Sequence, residues 1–131
     1  MHTRESGATD GPVLIVEGEP DLAMTYERLL RRQGYRTISA GSRGAGLLTL
    51  ETEPVRLVIA DLLLPDGDGL DIVRAAGALP SPPPVLVATV LASRASRRAA
   101  LAAGAAAFLP KPFATENFTR LVGELLGATP R

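Results

Sequence analysis

Four side chains in this sequence would suit phosphoryl transfer if the fold brought them together: Asp61, Thr89, Lys111 and Glu17. Asp61 closes the apolar run Leu57-Val58-Ile59-Ala60 and precedes Leu62-Leu63-Leu64-Pro65-Asp66-Gly67. A carboxylate with apolar residues on both sides is costly to desolvate unless something there needs a negative charge. The plainer reading is an Asp that opens a turn. Thr89 follows Val85-Leu86-Val87-Ala88, Lys111 follows the run from Ala105 to Leu109, and Glu17-Gly18-Glu19 follows Val13 to Val16. A carboxylate oxygen can attack phosphorus. An ammonium and a Mg²⁺ ion can neutralise the equatorial oxygens while a hydroxyl donates to one of them. Taken singly, Lys111 reads as a surface cation and Thr89 as a β-branched strand residue. Their shared placement at the ends of apolar runs gives the set its weight.

Those runs alternate with helical patterns. Pro12 to Val16 is a short continuous apolar stretch, as buried parallel strands are. From Asp21 to Gln33, Leu22, Tyr26, Leu29 and Leu30 recur at helical spacing, and Gly34 is a helix stop. Tyr35 to Ser39 alternates like a strand. Residues 42–52 read as a helix weakened by Gly44 and Gly46. Val55 to Ala60 reads as the central strand, and Gly69 to Ala76 as a short helix. Pro80-Ser81-Pro82-Pro83-Pro84 is a stiff connector, a polyproline ligand being the other reading. Val85 to Ala88 is a fourth strand, 93–103 an alanine-rich helix ended by Gly104, Ala105 to Leu109 a fifth strand, and Leu121 to Leu126 part of a last helix. Five β-α units with short links imply an α/β domain with a parallel sheet and helices on both faces. Functional groups then gather beyond the carboxyl ends of the strands, which is where the four residues lie. Residues 1–11 read as a disordered tail, 12–126 as the domain, and 127–131 as a tail or the start of a linker.

Composition narrows the chemistry. The 131 residues suffice for one domain, and 46% apolar content supports a core. Fourteen basic residues balance fourteen acidic ones, which gives no nucleic-acid or anionic-membrane signature. With no cysteine and one histidine, His2, thiolate metal sites, cysteine catalysis and multi-His sites are excluded. The N-terminus has no apolar core of a signal peptide and no run reaches spanning length. The expectation is a cytoplasmic protein.

From residue 12 to 126 the chain resembles the response-regulator receiver domains of two-component signalling. The resemblance is carried by Val13-Leu14-Ile15-Val16-Glu17-Gly18-Glu19-Pro20, by Leu57 through Leu70, by Thr89, by Ala102-Ala103-Gly104-Ala105, and by Leu109-Pro110-Lys111-Pro112-Phe113. It implies a flavodoxin-like five-stranded parallel sheet of order 2-1-3-4-5. It also implies Asp61 as phosphoacceptor, Thr89 as switch hydroxyl, Lys111 as the cation that binds the phosphoryl group, Phe108 as the rotating aromatic, and a cis Lys111–Pro112 bond. Mg²⁺ would be held by Glu17, Asp61 and the backbone carbonyl of Leu63. The implied partners are a histidine kinase or phosphotransfer protein and a downstream protein on the helix 4–strand 5–helix 5 face, with no direct nucleic-acid or membrane contact. The implied state is a monomer or weak homodimer. Such a domain is no enzyme beyond self-phosphorylation from a donor and autodephosphorylation. No DNA-binding pattern follows residue 126, so the chain is read as a stand-alone regulator or a piece of a longer one.

The departures from the family pattern are specific. The family usually has two adjacent acids after the first strand, and this chain has Glu17-Gly18, with Gly18 in the place of the direct metal ligand. Losing that charge weakens a Mg²⁺ site. Glu19 is a candidate to bend back, or a surface acid favoured at a helix N-terminus. Val90, where the family keeps a tiny residue, crowds the pocket, and Leu63 and Leu91 add apolar bulk that hinders attacking water. A phosphorylation-independent pseudo-receiver, acting as a protein-binding module, is therefore the alternative function. Arg94, Arg97 and Arg98 on the fourth helix suit such a partner face or are simply solvated.

Two other readings are weaker. Asp66-Gly67-Asp68-Gly69-Leu70 looks like the first motif of haloacid-dehalogenase-type phosphatases, but it sits in a loop after Pro65, where both acids read as a turn capping the next helix. A flavodoxin-type cofactor site would need a Ser/Thr-rich loop where Glu17-Gly18-Glu19-Pro20 stands.

Overall fold

A computed structural model describes residues 11–127 of the chain; the tails read at 1–11 and 127–131 lie outside the described residues but for positions 11 and 127. Five apolar runs become one sheet: β1 (Val13–Val16), β2 (Thr37–Ala40), β3 (Leu57–Ala60), β6 (Val85–Thr89) and β7 (Ala107–Pro110). Every pairing is parallel and the order is β2-β1-β3-β6-β7. This is the expected 2-1-3-4-5 order once the short hairpin of β4 (Leu63–Leu64) and β5 (Gly67–Asp68) is set aside. Helices α1 (Pro20–Arg32), α2 (Arg43–Thr52), α3 (Leu70–Gly77), α4 (Arg94–Ala103) and α5 (Thr115–Leu125) connect the strands.

Alternation along the strands creates two cores, because successive side chains point to opposite faces. Leu14, Val16, Val58, Ala60 and Val87 face Ile72, Val73 and Ala100. Val13, Ile15, Leu57, Ile59 and Leu86 face Tyr26, Leu30, Phe118 and Val122. β1, β3 and β6 are buried throughout, which explains their unbroken apolar sequences.

β2, β3 and β7 each start two residues later than their sequence pattern predicts, and β2 and β7 do so for one reason. After α1 the Tyr35 N–H donates to Leu30 O (3.1 Å) and the Gly34 N–H to Arg31 O (2.9 Å). After α4 the Ala105 N–H donates to Ala100 O (3.0 Å) and the Gly104 N–H to Leu101 O (3.1 Å). Both closures satisfy the last helical carbonyls through a left-handed glycine, Gly34 with φ 92° and Gly104 with φ 117°. Tyr35 and Ala105 belong to those closures, so β2 begins at Thr37 and β7 at Ala107. The β4–β5 hairpin is a further departure, since that stretch reads as a plain loop. Gly46, which weakens α2 as a helix, lets it approach the sheet. A Cβ there would stand 2.9 Å from Ile72 Cδ1 and 3.0 Å from Val16.

Candidate functional site

The parallel sheet delivers Glu17, Asp61, Thr89 and Lys111 to one rim. Backbone bonds stitch their strand ends together: the Asp61 N–H donates to Val16 O (3.0 Å) and the Lys111 N–H to Thr89 O (2.8 Å). Lys111 then reaches between the two acids. Its Nζ donates to Glu17 Oε1 and to Asp61 Oδ2, each at 2.8 Å. The remaining carboxylate oxygens accept backbone donors, Asp61 Oδ1 from the Leu63 N–H (3.0 Å) and Glu17 Oε2 from the Glu19 N–H (3.1 Å). Both acids are buried, and Lys111 exposes only 11% of its side chain. Buried charges persist when they are paired and hydrogen-bonded in this way.

Two carboxylates against one ammonium leave one net negative charge in the cluster. Burial works against the charge on Lys111, but the hydrogen bonds and charges of Asp61 and Glu17 outweigh it and hold its pKa above the ordinary lysine value. The lysine is a fixed cation at neutral pH.

Thr89 is fully buried, and its Oγ accepts the Leu91 N–H at 3.2 Å, which leaves the hydroxyl hydrogen as a donor. Phe108 is buried against Ala100 and Ala105, with the Arg97 guanidinium carbon 5.8 Å from its ring centroid. The Lys111–Pro112 bond is cis, as expected.

The cleft above the cluster measures about 370 Å³ and is bordered by Leu22, Leu63, Pro65 and Val90 besides the charged residues. Val90, expected to crowd the pocket, lines the cleft and is 57% exposed, so it stands at the mouth. Leu63 and Leu91 are exposed beside it. At Gly18 the space is closed: a Cβ would come within 2.9 Å of Pro65 Cδ. Glu19 is exposed, and among the described residues no group of three or more His, Cys, Asp or Glu could hold a metal ion. The donors that remain, Glu17, Asp61 and the Leu63 carbonyl, are all oxygen. That set suits Mg²⁺, which one or two carboxylates hold with several waters.

Two features escaped the sequence reading. Tyr26, Phe113 and Phe118 form a stack on the α1–α5 side of the sheet, with centroids 5.1 Å (Tyr26–Phe118) and 5.5 Å (Phe113–Phe118) apart. The Tyr26 hydroxyl is buried with no hydrogen-bond partner. A tyrosine in an apolar slot of α1 was the only available signal. The other feature is Asp66. Asp68 caps the next helix as expected, accepting the Leu70 N–H at 2.9 Å. Asp66 instead accepts the Arg43 and Gly44 N–H groups of α2. No local pattern reveals a cap supplied from so far along the chain.

The model of the response regulator receiver domain family matches residues 13–123. The chain is 39% identical over 101 residues to the KDP operon transcriptional regulatory protein KdpE of Escherichia coli (strain K12), covering 77% of this chain and 44% of that protein. It is 31% identical over 117 residues to the probable transcriptional regulatory protein TcrX of Mycobacterium tuberculosis, covering 89% of this chain and 50% of that protein. The chain thus spans half or less of the length of these relatives. Among solved structures it resembles a CheY-like receiver domain protein from Methanospirillum hungatei JF-1, with TM-score 0.83, 27% identity, and 89% and 94% of the two chains covered. It also resembles the receiver domain of the sensor histidine kinase PA1611 from Pseudomonas aeruginosa PAO1, which has a magnesium ion coordinated in the active site cleft. There the TM-score is 0.80 and identity 26%, with 89% and 98% of the chains covered.

Proposed function

Because the chain belongs to the response-regulator receiver domain family, we propose that it is a two-component signalling module that accepts a phosphoryl group on Asp61 from a histidine kinase or phosphotransfer protein. The observation that carries this reading is Lys111 Nζ, 2.8 Å from both Asp61 and Glu17 at the strand ends. In the step, an Asp61 carboxylate oxygen attacks phosphorus, the bond from phosphorus to the donor's imidazole nitrogen breaks, and an acyl phosphate forms. Lys111 turns from the carboxylates to a phosphoryl oxygen, so a positive charge is already in place where negative charge collects. The Thr89 hydroxyl donates to another oxygen. Glu17, Asp61 and the Leu63 carbonyl would hold Mg²⁺, which when bound supplies further positive charge to the phosphoryl oxygens. The exposed Leu63, Val90 and Leu91 narrow the approach of attacking water and lengthen the life of the phosphorylated state.

The output is steric, since Phe108 has no hydroxyl. Thr89 drawn toward the phosphoryl group biases the face formed by α4, β7 and α5 toward a downstream protein. The chemistry is phosphoryl acceptance and its reversal, in a cytoplasmic, monomeric or weakly dimeric protein without direct nucleic-acid or membrane contact. No described helix is long and apolar enough to cross a membrane. One observation favours the second reading, a phosphorylation-independent binding module: Gly18 supplies no ligand and Pro65 lies against it.

Intact-protein mass after treatment with acetyl phosphate, with and without Mg²⁺, separates the two. The expected result is a gain of one phosphoryl group in the wild type that vanishes in Asp61→Ala. Absence of that gain in the wild type, beside a receiver that does label, would overturn the leading reading.

A further inference from the structure

Asp66 is exposed and lies in the turn of the β4–β5 hairpin, yet both of its carboxylate oxygens accept backbone donors from α2. Its Oδ1 accepts the Arg43 N–H at 2.6 Å and its Oδ2 accepts the Gly44 N–H at 2.9 Å. Ser42, the local cap, accepts the Ala45 N–H at 3.1 Å. The first three amides of α2 are therefore all satisfied, two of them by a carboxylate from another loop. Arg43 returns the contact. Its Nε donates to Asp71 Oδ2 (2.7 Å) at the start of α3. Its stem crosses Gly67, where a Cβ would stand 2.5 Å from Arg43 Cδ and φ is 156°. The hairpin is bound at its tip by α2 and wrapped along its side by Arg43.

Its other end touches the proposed phosphoacceptor. The Leu63 N–H, at the first residue of β4, donates to Asp61 Oδ1 (3.0 Å). The Gly69 N–H closes the loop onto Leu62 O (2.9 Å), and a Cβ on Gly69 would overlap the Asp61 carbonyl oxygen. α2 is itself seated on β1 through Gly46, so a continuous path of contacts runs from β1 through α2, Asp66 and the hairpin to the Asp61 carboxylate.

Resting on the phosphoryl-transfer reading above, we propose that Asp66 is a positioning residue: by capping α2 from the hairpin tip it fixes the Leu63 amide, and with it the orientation of the Asp61 carboxylate for attack. Reactions of this kind lose rate steeply when the reacting group is misplaced by a fraction of its bond reach. Asp66→Ala frees the tip, lets the Leu63 amide move and spreads the Asp61 rotamers. Ser42→Ala removes a cap from the same helix end without touching the hairpin. It therefore reports what loss of helix stability alone does.

The test measures both variants and Asp66→Asn against wild type in two ways. Hydrogen exchange at the Leu63 and Leu64 amides should quicken roughly tenfold in Asp66→Ala, stay near wild type in Ser42→Ala, and fall between in Asp66→Asn, which keeps one acceptor oxygen. The acetyl phosphate labelling rate at saturating Mg²⁺ should drop about tenfold in Asp66→Ala and change little in Ser42→Ala. Equal effects of the two alanine variants, or an unmoved Leu63 amide in Asp66→Ala, would overturn the proposal. If the wild type takes no phosphoryl group, the phosphoacceptor reading fails and the exchange measurement still decides the clamp by itself.

Discussion

On the β7 side of Asp61 the site is built from buried, paired side chains, whereas on the β1 side the corresponding space holds a glycine and the edge of a proline ring. Lys111, Thr89 and Phe108 are packed and bonded. Gly18 offers only its backbone, and Pro65 fills the gap. The contrast separates two demands that phosphoryl acceptance makes. The proposed nucleophile, Asp61, and Lys111 are held by a network that the fold itself needs, since two buried carboxylates without Lys111 would repel each other. The Gly18 position carries no such structural duty, so a metal ligand can be missing there without loss of the fold.

The largest expected effect breaks the first flank. Lys111→Met leaves Glu17 and Asp61 buried and unpaired, and removing one partner of a buried ion pair typically costs about 3–5 kcal/mol. Urea denaturation at pH 7 should show that loss, and acetyl phosphate labelling should be abolished. Adding Glu17→Gln should recover part of the stability and none of the labelling; recovery of both would show that Lys111 is structural alone. The pH dependence follows from the raised pKa of Lys111. Its contribution is complete below 10.5, the unfolded lysine value, and is lost only as pH rises through the higher folded value. Stability from this pair should therefore be flat across neutral pH and fall only in strong alkali.

The next effect sharpens the second flank. Gly18→Asp returns a charge to the metal side and should tighten Mg²⁺ binding about tenfold, read from amide shifts in a Mg²⁺ titration. The new Cβ meets Pro65 Cδ at 2.9 Å, so the ring has to yield. Pro65→Ala in the same chain should therefore tighten binding further. Unchanged affinity in both variants would show that the missing acid is not what limits the site.

Those flanks were unequally legible. The β7 side could be read from single residues at the ends of apolar runs, because burial and strand direction decide where Thr89 and Lys111 point. The absence of an acid at Gly18 was equally plain, but Pro65 occupying its space was not, since residues 18 and 65 meet only in the folded chain. The same limit hid the Asp66 cap on α2 and the Tyr26–Phe113–Phe118 stack. The parallel sheet followed from the β-α alternation and its strand order from the family resemblance, while the starts of β2, β3 and β7 followed from neither. Helix closures at Gly34 and Gly104 consume residues that otherwise look like strand.

A smaller effect lies farther along the first flank. Phe108 is held inward beneath the Arg97 guanidinium, at 5.8 Å from its centroid. Arg97→Ala should lose about 0.5–1 kcal/mol in urea denaturation, the usual worth of such a contact at an exposed position. It should also broaden the Phe108 ring resonances as the ring samples outward positions. An unchanged ring spectrum would mean that core packing alone holds Phe108.

The smallest effect asks how far the charge of the site reaches into the core. Tyr26 presents a buried hydroxyl without a partner, and its ionisation is pushed upward first by burial, then by the charge of Glu17, then by that of Asp61. Removing a buried unpartnered hydroxyl while keeping the ring is neutral to stabilising. Tyr26→Phe should therefore gain up to about 1 kcal/mol in urea denaturation, because the stack on Phe113 and Phe118 survives. A loss of similar size would mean that the hydroxyl is satisfied through a buried water.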